Sequence, residues 1–478
     1  MSASEGNADL IKAIYEDPRV LLTLTFEDFD RIDYDVVKQI QLHFVQKRFA
    51  ELRLKIKAVD NLASTLGIDR LETLEDVVPM CFPHTVYKGY RESDVENGRF
   101  DRLIKWLSTL TAVDLSKVDL DGCDSLEDWL NRIERDAPLR PVSSSGTSGK
   151  ISIFPRGKYE EEHTYWRLTQ LYFAGYHGRG GIDITGGDVP FLTPWPNDEG
   201  RHNIPVIFRQ LRERVYPHDP DMVVTLGKGC ITANELWLGG RVRRAQNRGE
   251  QINLTDAERA TLEELARRGV DDEASYETFV RRAVVEQEGK RVVFFGAWHQ
   301  IYRLVTFCRD KGIPIRWAPD SLIWTGGGSK GHTFPDGWQQ EIFEAIPVAY
   351  PDRYTEAYGS TEHIAGAYRC HKGHLHPVPW SVPFVLDPTS GEPLPRTGTQ
   401  TGRFAGFDIL AETYWGGSVS GDEVTVHWDG GCSCGRVGPF YNNNITRYID
   451  TRAGDDKISC AKTPDAYNQL REFAVGFE

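Results

Sequence analysis

The sequence predicts an α/β protein with a mostly helical N-terminal region, a body of parallel-rich sheets flanked by helices, and a smaller β-rich lobe. Two patterns support this fold class. Short apolar runs alternate with helical patterns over residues 141–376, as in parallel sheets covered on both faces. Residues 377–446 contain shorter strands separated by Pro and Gly turns, which indicates an antiparallel or barrel-like lobe. The 478 residues are enough for at least two cores.

The N-terminal region, residues 1–140, is predicted to be helical from its apolar spacing. Val37, Ile40 and Phe44 recur at helical intervals, and Phe49 continues the pattern. One face of this segment is therefore expected to be buried against the rest of the chain.

The body contains a helix whose two ends can be predicted. In "LTDAERATLEELARRG", Thr255 and Glu258 form a capping box, and Gly269 is expected to end the helix. A second helix is expected in "WHQIYRLVTFCRDKG". The predicted strands are "DVPFL", "MVVTL", "RVVFFG", "IPIRWA" and "SLIWTGGG". The residues from 447 to 478 are treated as a C-terminal tail.

The charge balance argues against two classes of partner. Lys and Arg number 56 against 70 Asp and Glu, a formal net charge of −14, which disfavours nucleic acid and anionic membranes. No apolar run approaches the about 20 residues of a membrane span. The first residues lack the basic and apolar segments of a signal peptide. Eight cysteines are too few for a disulfide scaffold, so we expect reduced thiols and a cytoplasmic location.

A loop rich in serine and glycine begins the body. The run "SSSGTSGK" ends at Lys150, and such a loop can surround a polyphosphate with backbone N–H groups, hydroxyls and one positive charge. The spacing is not that of a P-loop, because Gly146 and Gly149 are three residues apart and Ile151 follows the lysine. The alternative is a flexible polar linker, and the loop alone does not decide between the two.

Two later motifs favour the phosphate-binding interpretation. The stretch "AYGSTEH" spans 357–363 and "SGDEV" spans 420–424. Together with "SSSGTSGK" and in this order, they resemble the signature set of the adenylate-forming superfamily, which includes acyl- and aryl-CoA ligases. The runs "TGGGSKG", "DPTSGEPLP" and "CSCGRVG" look like the phenylacetate–CoA ligase group and the acyl-protein synthetase of bacterial bioluminescence. The resemblance covers roughly residues 141–450.

The resemblance implies an adenylate-forming enzyme. Such an enzyme uses ATP and Mg²⁺ to convert a carboxylic acid to an acyl- or aryl-adenylate, releases pyrophosphate, and passes the acyl group to a thiol of CoA or of a carrier protein. The alternatives are an amine or hydrazine-type acceptor, which would give an amide, and a non-catalytic nucleotide-binding scaffold. The expected partners are therefore small molecules or a carrier protein, and a homodimer is left open.

The resemblance also implies roles for the motif residues. Lys150 would neutralise the phosphates, Thr361 would bond the α-phosphate and Glu362 would hold Mg²⁺. The remaining nucleotide-binding positions are Ser145, Gly146, Thr147, Ser148, Gly149, Gly326, Gly327, Gly328, Tyr358, Gly359, Ser360, Asp422 and Arg447. Tyr358 would stack on the adenine and Asp422 would accept the ribose hydroxyls. Taken singly, these patterns are as typical of ordinary turns.

The acid pocket is predicted less sharply. Trp298 and His299 in "FFGAWHQIY" are candidates to line it, although aromatic residues on a helix after a strand are more often core. Trp195, His202 and Asn203 are weaker candidates.

A separate group of cysteines and histidines suggests a structural zinc site. Thiolate and imidazole are the usual ligands of such a site, and four complete a closed tetrahedron. His371 and His374 lie within the same stretch of sequence. By likeness to phenylacetate–CoA ligase relatives we select Cys370, His376, Cys432 and Cys434. The alternative is reduced cysteines in a Gly-rich turn with histidines near it.

The C-terminal segment departs from the family pattern. Residues 447–478 resemble the hinge that precedes a mobile C-terminal lobe, with Arg447 and Asp450 or Asp455 as hinge candidates. The segment is too short for a lobe with its own core, so we expect a truncated lobe. The lysine that such a lobe would supply lacks its usual context here.

Cys460 in this tail is a candidate acyl carrier. The bioluminescence relative passes its acyl group through a cysteine near its C-terminus, and Lys457 and Lys462 would lower the pKa of the Cys460 thiol, opposed by Asp455 and Asp456. The alternative, which we favour, is a small buried residue that fixes the tail to the body.

Overall fold

A computed structural model describes residues 3–448 except 145–149, 178, 197–199, 228–231, 250, 271 and 327–332. The α-helices are α1 Ala3–Glu16, α2 Phe26–Phe29, α3 Tyr34–Arg53, α4 Lys57–Leu66, α5 Glu92–Glu96, α6 Phe100–Ser108, α7 Leu126–Asp136, α8 Trp166–Phe173, α9 Asn203–Arg214, α10 Ala233–Arg248, α11 Asp256–Val270, α12 Asp272–Val280, α13 Trp298–Asp310 and α14 Trp338–Ala345. Within the described ranges, no helix is long and apolar enough to cross a membrane.

The strands are short in the body and longer in the C-terminal part. They are β1 Phe82–Pro83, β2 Val142–Ser143, β3 Ile153–Phe154, β4 Phe191–Leu192, β5 Val223–Val224, β6 Val293–Phe295, β7 Leu322–Thr325, β8 Tyr354–Tyr358, β9 Ala367–Arg369, β10 Leu375–Pro377, β11 Ser381–Leu386, β12 Thr399–Asp408, β13 Gly417–His427, β14 Phe440–Tyr441 and β15 Thr446–Arg447. A π-helical turn, Glu160–Tyr165, leads into α8.

Thirteen of these strands form one mixed sheet. Its main path runs β11-β12-β13-β14-β10-β9-β8-β7-β6-β4-β5, and β1 and β15 both pair with β13. The pairs from β5 to β8 are parallel, whereas those from β8 to β11 are antiparallel. The predicted fold class, an α/β protein with a parallel-rich body and a β-rich part, is confirmed.

The parallel part is covered on both faces, as its apolar strands predict. Phe191, Phe295 and Trp324 point to the face packed against α8 and α9. Their neighbours Leu192 and Phe294 point to the other face, in the core formed with α12, α13 and α14. The alternation follows from the period of two along a strand.

The helical N-terminal region packs on the antiparallel part of the sheet. Arg48 of α3 is 5% exposed, and its Nε donates to the carbonyl of Ile409 at 3.0 Å. Trp415 donates its indole N–H to the carbonyl of Met80 at 2.7 Å. Hydrogen bonds from side chains to backbone carbonyls thus join segments more than 300 residues apart. The boundaries proposed between regions from the sequence stay a prediction.

Two local predictions are wrong. The segment "IPIRWA" contains no strand. It is held instead by side-chain packing, since Trp317 is buried, stacks on Phe294 with ring centroids 5.4 Å apart, and donates its indole N–H to the carbonyl of Ala283. The helix expected to stop at Gly269 continues to Val270, although its Thr255–Glu258 capping box is present.

Candidate functional site

The sequence motifs converge at the carboxyl ends of the parallel strands. Gly326 follows β7, Gly359 follows β8, and Trp298 begins α13 shortly after β6. Neighbouring parallel strands bring their carboxyl ends to one edge of a sheet, and ligands of open α/β sheets bind at that edge. Motifs that are far apart in sequence therefore lie side by side.

Three predicted nucleotide-binding residues come together beside this edge. The Tyr358 hydroxyl donates to Oδ2 of Asp422 at 2.9 Å and lies 3.3 Å from the Ser420 hydroxyl. The Nε of Arg447 lies 3.6 Å from Oδ1 of Asp422, because β15 pairs Arg447 with Asp422 on β13. Burial and the neighbouring Asp422 carboxylate raise the pKa of Tyr358. The phenol is thus a neutral donor, and the carboxylate is an acceptor 17% exposed to solvent.

The glycines of the motifs leave room beside β8. An ideal Cβ on Gly326 would lie 3.6 Å from the carbonyl oxygen of Ala357, an ordinary contact. The backbone around this position would therefore accept a side chain, and glycine leaves that space empty. An ideal Cβ on Gly359 would lie 3.4 Å from the carbonyl oxygen of His363. Gly327 and Gly328 lie outside the described residues.

The turn after β8 carries Thr361 and Glu362. Its ends are closed by two hydrogen bonds, from His363 N to the Ser360 hydroxyl at 3.0 Å and from Ser360 N to the His363 carbonyl at 3.2 Å. Glu362 is half-buried. Burial, with the Glu362 carboxylate as a second cause, raises the pKa of the Tyr87 hydroxyl in the N-terminal region.

Arg156 is a candidate site residue that the sequence motifs did not reveal. Its guanidinium is buried, donating from Nη1 to Oδ1 of Asn203 at 2.7 Å and from Nη2 to the carbonyl of Thr361 at 3.3 Å. It also lies over the ring of Tyr165, 5.0 Å from the centroid. The residue joins β3, α9 and the Thr361 turn. Its one sequence signal is a charged residue directly after the apolar run that follows the Ser-rich loop.

The Ser-rich loop connects β2 to β3, which pair as an antiparallel hairpin. Ser145, Gly146, Thr147, Ser148 and Gly149 lie outside the described residues. The Nζ of Lys150 hydrogen-bonds to the Tyr90 carbonyl and lies 4.2 Å from the centroid of the Tyr90 ring. The lysine is therefore directed at the N-terminal region in this structure.

The residues predicted to line an acid pocket belong to aromatic packing. Trp298 stacks on Tyr354, with centroids 6.2 Å apart and an interplanar angle of 13°, and meets Trp338 edge-on at 5.4 Å. His299 is half-buried beside it. Trp298 is therefore held at the carboxyl end of the parallel sheet, and whether it lines a pocket stays a prediction.

The second group of candidates surrounds the start of α9. His202 caps the helix by accepting from Ile204 N at 3.3 Å through Nδ1, and its ring stacks on Trp195 with centroids 5.9 Å apart. Asn203 is the partner of Arg156 described above. These three candidates are thus connected to the Thr361 turn through one buried arginine.

The structure brings the predicted zinc ligands together. One ligand atom from each of Cys370, His376, Cys432 and Cys434 lies within 4.8 Å of the others, and all four residues are buried. The Sγ atoms of Cys370 and Cys432 are 3.9 Å apart, and Cys434 Sγ is 3.4 Å from His376 Nε2. His374 lies beside the group, with Nδ1 3.3 Å from Cys432 Sγ.

The donor set of this cluster fits zinc. Hydrogen bonds among the thiols lower the pKa of Cys370 and raise the pKa values of Cys432 and Cys434. Three sulfurs and one imidazole nitrogen are a common tetrahedral set for structural zinc, and Zn–S bonds of about 2.3 Å place neighbouring sulfurs about 3.8 Å apart. The Cys370–Cys432 separation of 3.9 Å agrees with that spacing.

Comparison with known proteins gives one curated relative with a fatty-acid ligase name. No family model matches the chain. The chain is 28% identical over 150 residues to the long-chain-fatty-acid–luciferin-component ligase of Vibrio harveyi. The match covers 30% of this chain and 39% of that protein. This similarity in sequence confirms that the chain resembles acid-activating ligases, as its motifs predict.

Two solved structures align over most of the chain. One is 2-hydroxyisobutyryl-CoA ligase in complex with 2-HIB-AMP and CoA, at 12% identity and a TM-score of 0.48, covering 88% of this chain and 71% of that one. The other is the N-terminal domain of FACL13 from Mycobacterium tuberculosis, at 12% identity and a TM-score of 0.34, covering 67% and 66%.

Proposed function

We propose that this chain is an ATP- and Mg²⁺-dependent ligase that activates a carboxylic acid as an acyl- or aryl-adenylate and then transfers the acyl group to a thiol. The observation that carries the proposal is the Tyr358–Asp422–Arg447 cluster at the carboxyl edge of the parallel sheet. Two of the motifs that resemble a nucleotide site contribute Tyr358 and Asp422, and Arg447 comes from the hinge-like segment, although 64 residues separate Tyr358 from Asp422. The fatty-acid ligase relative supports the same class of chemistry.

The proposed first step is attack by the acid's carboxylate oxygen on the α-phosphorus of ATP. A new P–O bond forms, the bond to the bridging oxygen of the β-phosphate breaks, and pyrophosphate leaves with that electron pair. Because both reactants are anions, positioning and charge neutralisation provide most of the catalysis. Thr361 would donate its hydroxyl to the α-phosphate, and Lys150 with residues 145–149 would hold the departing phosphates.

The nucleoside would be held by the Tyr358–Asp422 pair. The adenine would stack on the Tyr358 ring, with Gly326 leaving space for the nucleoside. The Asp422 carboxylate would accept both ribose hydroxyls. Glu362 would be a ligand of Mg²⁺, which neutralises phosphate charge when bound. Arg156 would hold the Thr361 carbonyl and so fix the position of the turn that follows β8.

The acid and the acceptor are proposed at the level of chemical class. Trp298 and His299 would contact the acid, and their aromatic surroundings suit an aryl or other planar acid. The default acceptor is the thiol of CoA or of a carrier protein, and an amine acceptor is the alternative. Cys460 as an acyl carrier stays a prediction, since it lies outside the described residues. The net charge of −14 fits small-molecule substrates better than nucleic acid or anionic membranes.

We propose a structural role for zinc at Cys370, His376, Cys432 and Cys434. Four protein ligands complete a tetrahedron and leave no position for a substrate. The turn that carries Cys432 and Cys434 continues into Arg436, which is buried, and its Nε lies 3.6 Å from Oδ2 of Asp30 in the N-terminal region. The metal would therefore fix both the turn and its contact with the helical region.

The test is ATP–pyrophosphate exchange over a panel of carboxylic acids that includes fatty acids and aryl acids. Exchange that depends on one acid and on Mg²⁺ supports adenylate formation. Subsequent addition of CoA, a carrier protein or an amine identifies the acceptor by the mass of its acylated product. ATP binding without exchange for any acid would instead identify a non-catalytic scaffold.

A further inference from the structure

The histidine that follows the Thr361–Glu362 pair is buried in a different part of the sheet. His363 is 3% exposed, and its Nε2 lies 3.0 Å from the hydroxyl of Ser381, which is itself 2% exposed at the start of β11. The ring meets Phe404 of β12 at a centroid distance of 5.5 Å and an angle of 67°. The motif turn is thus anchored in the antiparallel part of the sheet.

The ring occupies a slot that a glycine creates. An ideal Cβ on Gly406 of β12 would lie 2.7 Å from Cε1 and 2.9 Å from Nε2 of His363, closer than real Cβ contacts come. The slot is therefore lined by Gly406, Ser381 and Phe404, and a single added methyl group would displace the ring.

We infer that His363 is a positioning residue for Glu362: its ring locks the turn to β11 and β12, and its backbone closes the turn that presents the carboxylate. The inference rests on the proposed function, in which Glu362 is a ligand of Mg²⁺. Both hydrogen bonds that close the turn, one of them to the Ser360 hydroxyl, run between Ser360 and His363, so a displaced ring moves the residue that ends the turn. Arg156 bonds the turn at the Thr361 carbonyl, and the His363 ring anchors the end of the turn at Ser381.

Three variants separate the parts of this inference. His363→Leu fills the slot and removes the hydrogen bond to Ser381. His363→Gln retains a polar group close to the position of Nε2. Gly406→Ala removes no polar group, and its Cβ would displace the His363 ring and also come within 3.0 Å of Phe404 Cζ. The matched control is Gly239→Ala on α10, where an ideal Cβ meets nothing within 4 Å.

The first measurement is the affinity of the protein–ATP complex for Mn²⁺, taken as a substitute for Mg²⁺ and followed by electron paramagnetic resonance. Loss of a residue that orients a metal ligand costs about 10- to 100-fold in metal affinity. We expect that loss in His363→Leu and Gly406→Ala, near wild-type affinity in His363→Gln, and no change in Gly239→Ala. The second measurement is AMP binding without metal, which we expect to be unchanged in all four variants.

Wild-type Mn²⁺ affinity in both His363→Leu and Gly406→Ala overturns the inference. Equal losses of Mn²⁺ and AMP binding in both variants also overturn it, because the ring then supports only the fold. If His363→Leu does not fold, Gly406→Ala decides by the same two measurements. Failure of the proposed function is detected separately. In that case the wild-type protein shows no pyrophosphate exchange with any carboxylic acid tested, and the inference falls with it.

Discussion

Asp408 provides a prediction whose size follows from its surroundings. The residue ends β12, is 1% exposed, and accepts hydrogen bonds from Leu410 N at 2.8 Å and from the Tyr414 hydroxyl at 3.3 Å. Burial raises its pKa from the ordinary 3.8 to about 7, and the nearby Glu160 carboxylate adds to the effect while Arg48 opposes it. Asp408 is therefore largely protonated in the folded protein at pH 6 and largely ionised at pH 8.

The sign and size of the effect on stability follow by linkage. Because the folded pKa is the higher one, the folded state binds more protons, and stability is lost as pH rises through the folded value. For one group with a folded pKa of about 7, the free energy of unfolding falls by about 1.4 kcal/mol between pH 6 and pH 8. Asp408→Asn removes the titration, so this share of the pH dependence disappears.

The assay is urea unfolding of wild type and Asp408→Asn at pH 6 and pH 8, followed by tryptophan fluorescence. All other titrating groups are shared by the two proteins. The change in unfolding free energy between pH 6 and pH 8 therefore differs between them only by the contribution of Asp408. An independent check is the infrared band of a protonated carboxyl group, which we expect in wild type at pH 6 and not in the variant. Equal losses of stability in both proteins between pH 6 and pH 8 would refute a raised pKa at this position.

Three further predictions concern the sites. Glu362→Gln should lower pyrophosphate exchange about 10²-fold with the fold retained. The same change at the exposed Glu344 of α14 should have no effect, and an unaltered rate in the Glu362 variant removes that residue from the metal role. Asp422→Ala should raise the KM for ATP about 10-fold or more through lost charge-assisted hydrogen bonds. An unchanged KM argues against ribose binding there. Protein purified without a polyhistidine tag should contain about one zinc per chain, and Cys432→Ser should lose the zinc and lower the unfolding temperature. Cys123→Ser is the control that should keep the metal, and metal-free wild-type protein that is equally stable contradicts the site.

Local sequence patterns predicted the elements whose signals are complete within a few residues. The capping box of Thr255 and Glu258 is present because both partners lie within one helical turn. The apolar runs that became β6 and β7 were recognisable because a strand buried on both faces requires them. The "IPIRWA" run failed because an apolar run becomes a strand only where a neighbouring strand can pair with it, and here Trp317 is buried in the core instead.

The sequence by itself determined which residues could form the candidate sites. Tyr358, Asp422 and the four zinc ligands were all selected from residue type, order and resemblance to known motifs. A resemblance transfers residues that stand inside a motif, since there the chemistry dictates the residue type.

Only the tertiary structure decided how those residues are supported. Arg156 and Asn203 are 47 residues apart, and His363 and Ser381 are 18 residues apart, so no local pattern links either pair. The slot for the His363 ring exists because Gly406 comes from another strand of the folded sheet. A buried side chain acquires its role from the neighbours that folding places around it, and the chain order does not encode those neighbours locally. The orientation of Glu362 is therefore a property of the packed sheet, whereas its chemistry is a property of the sequence.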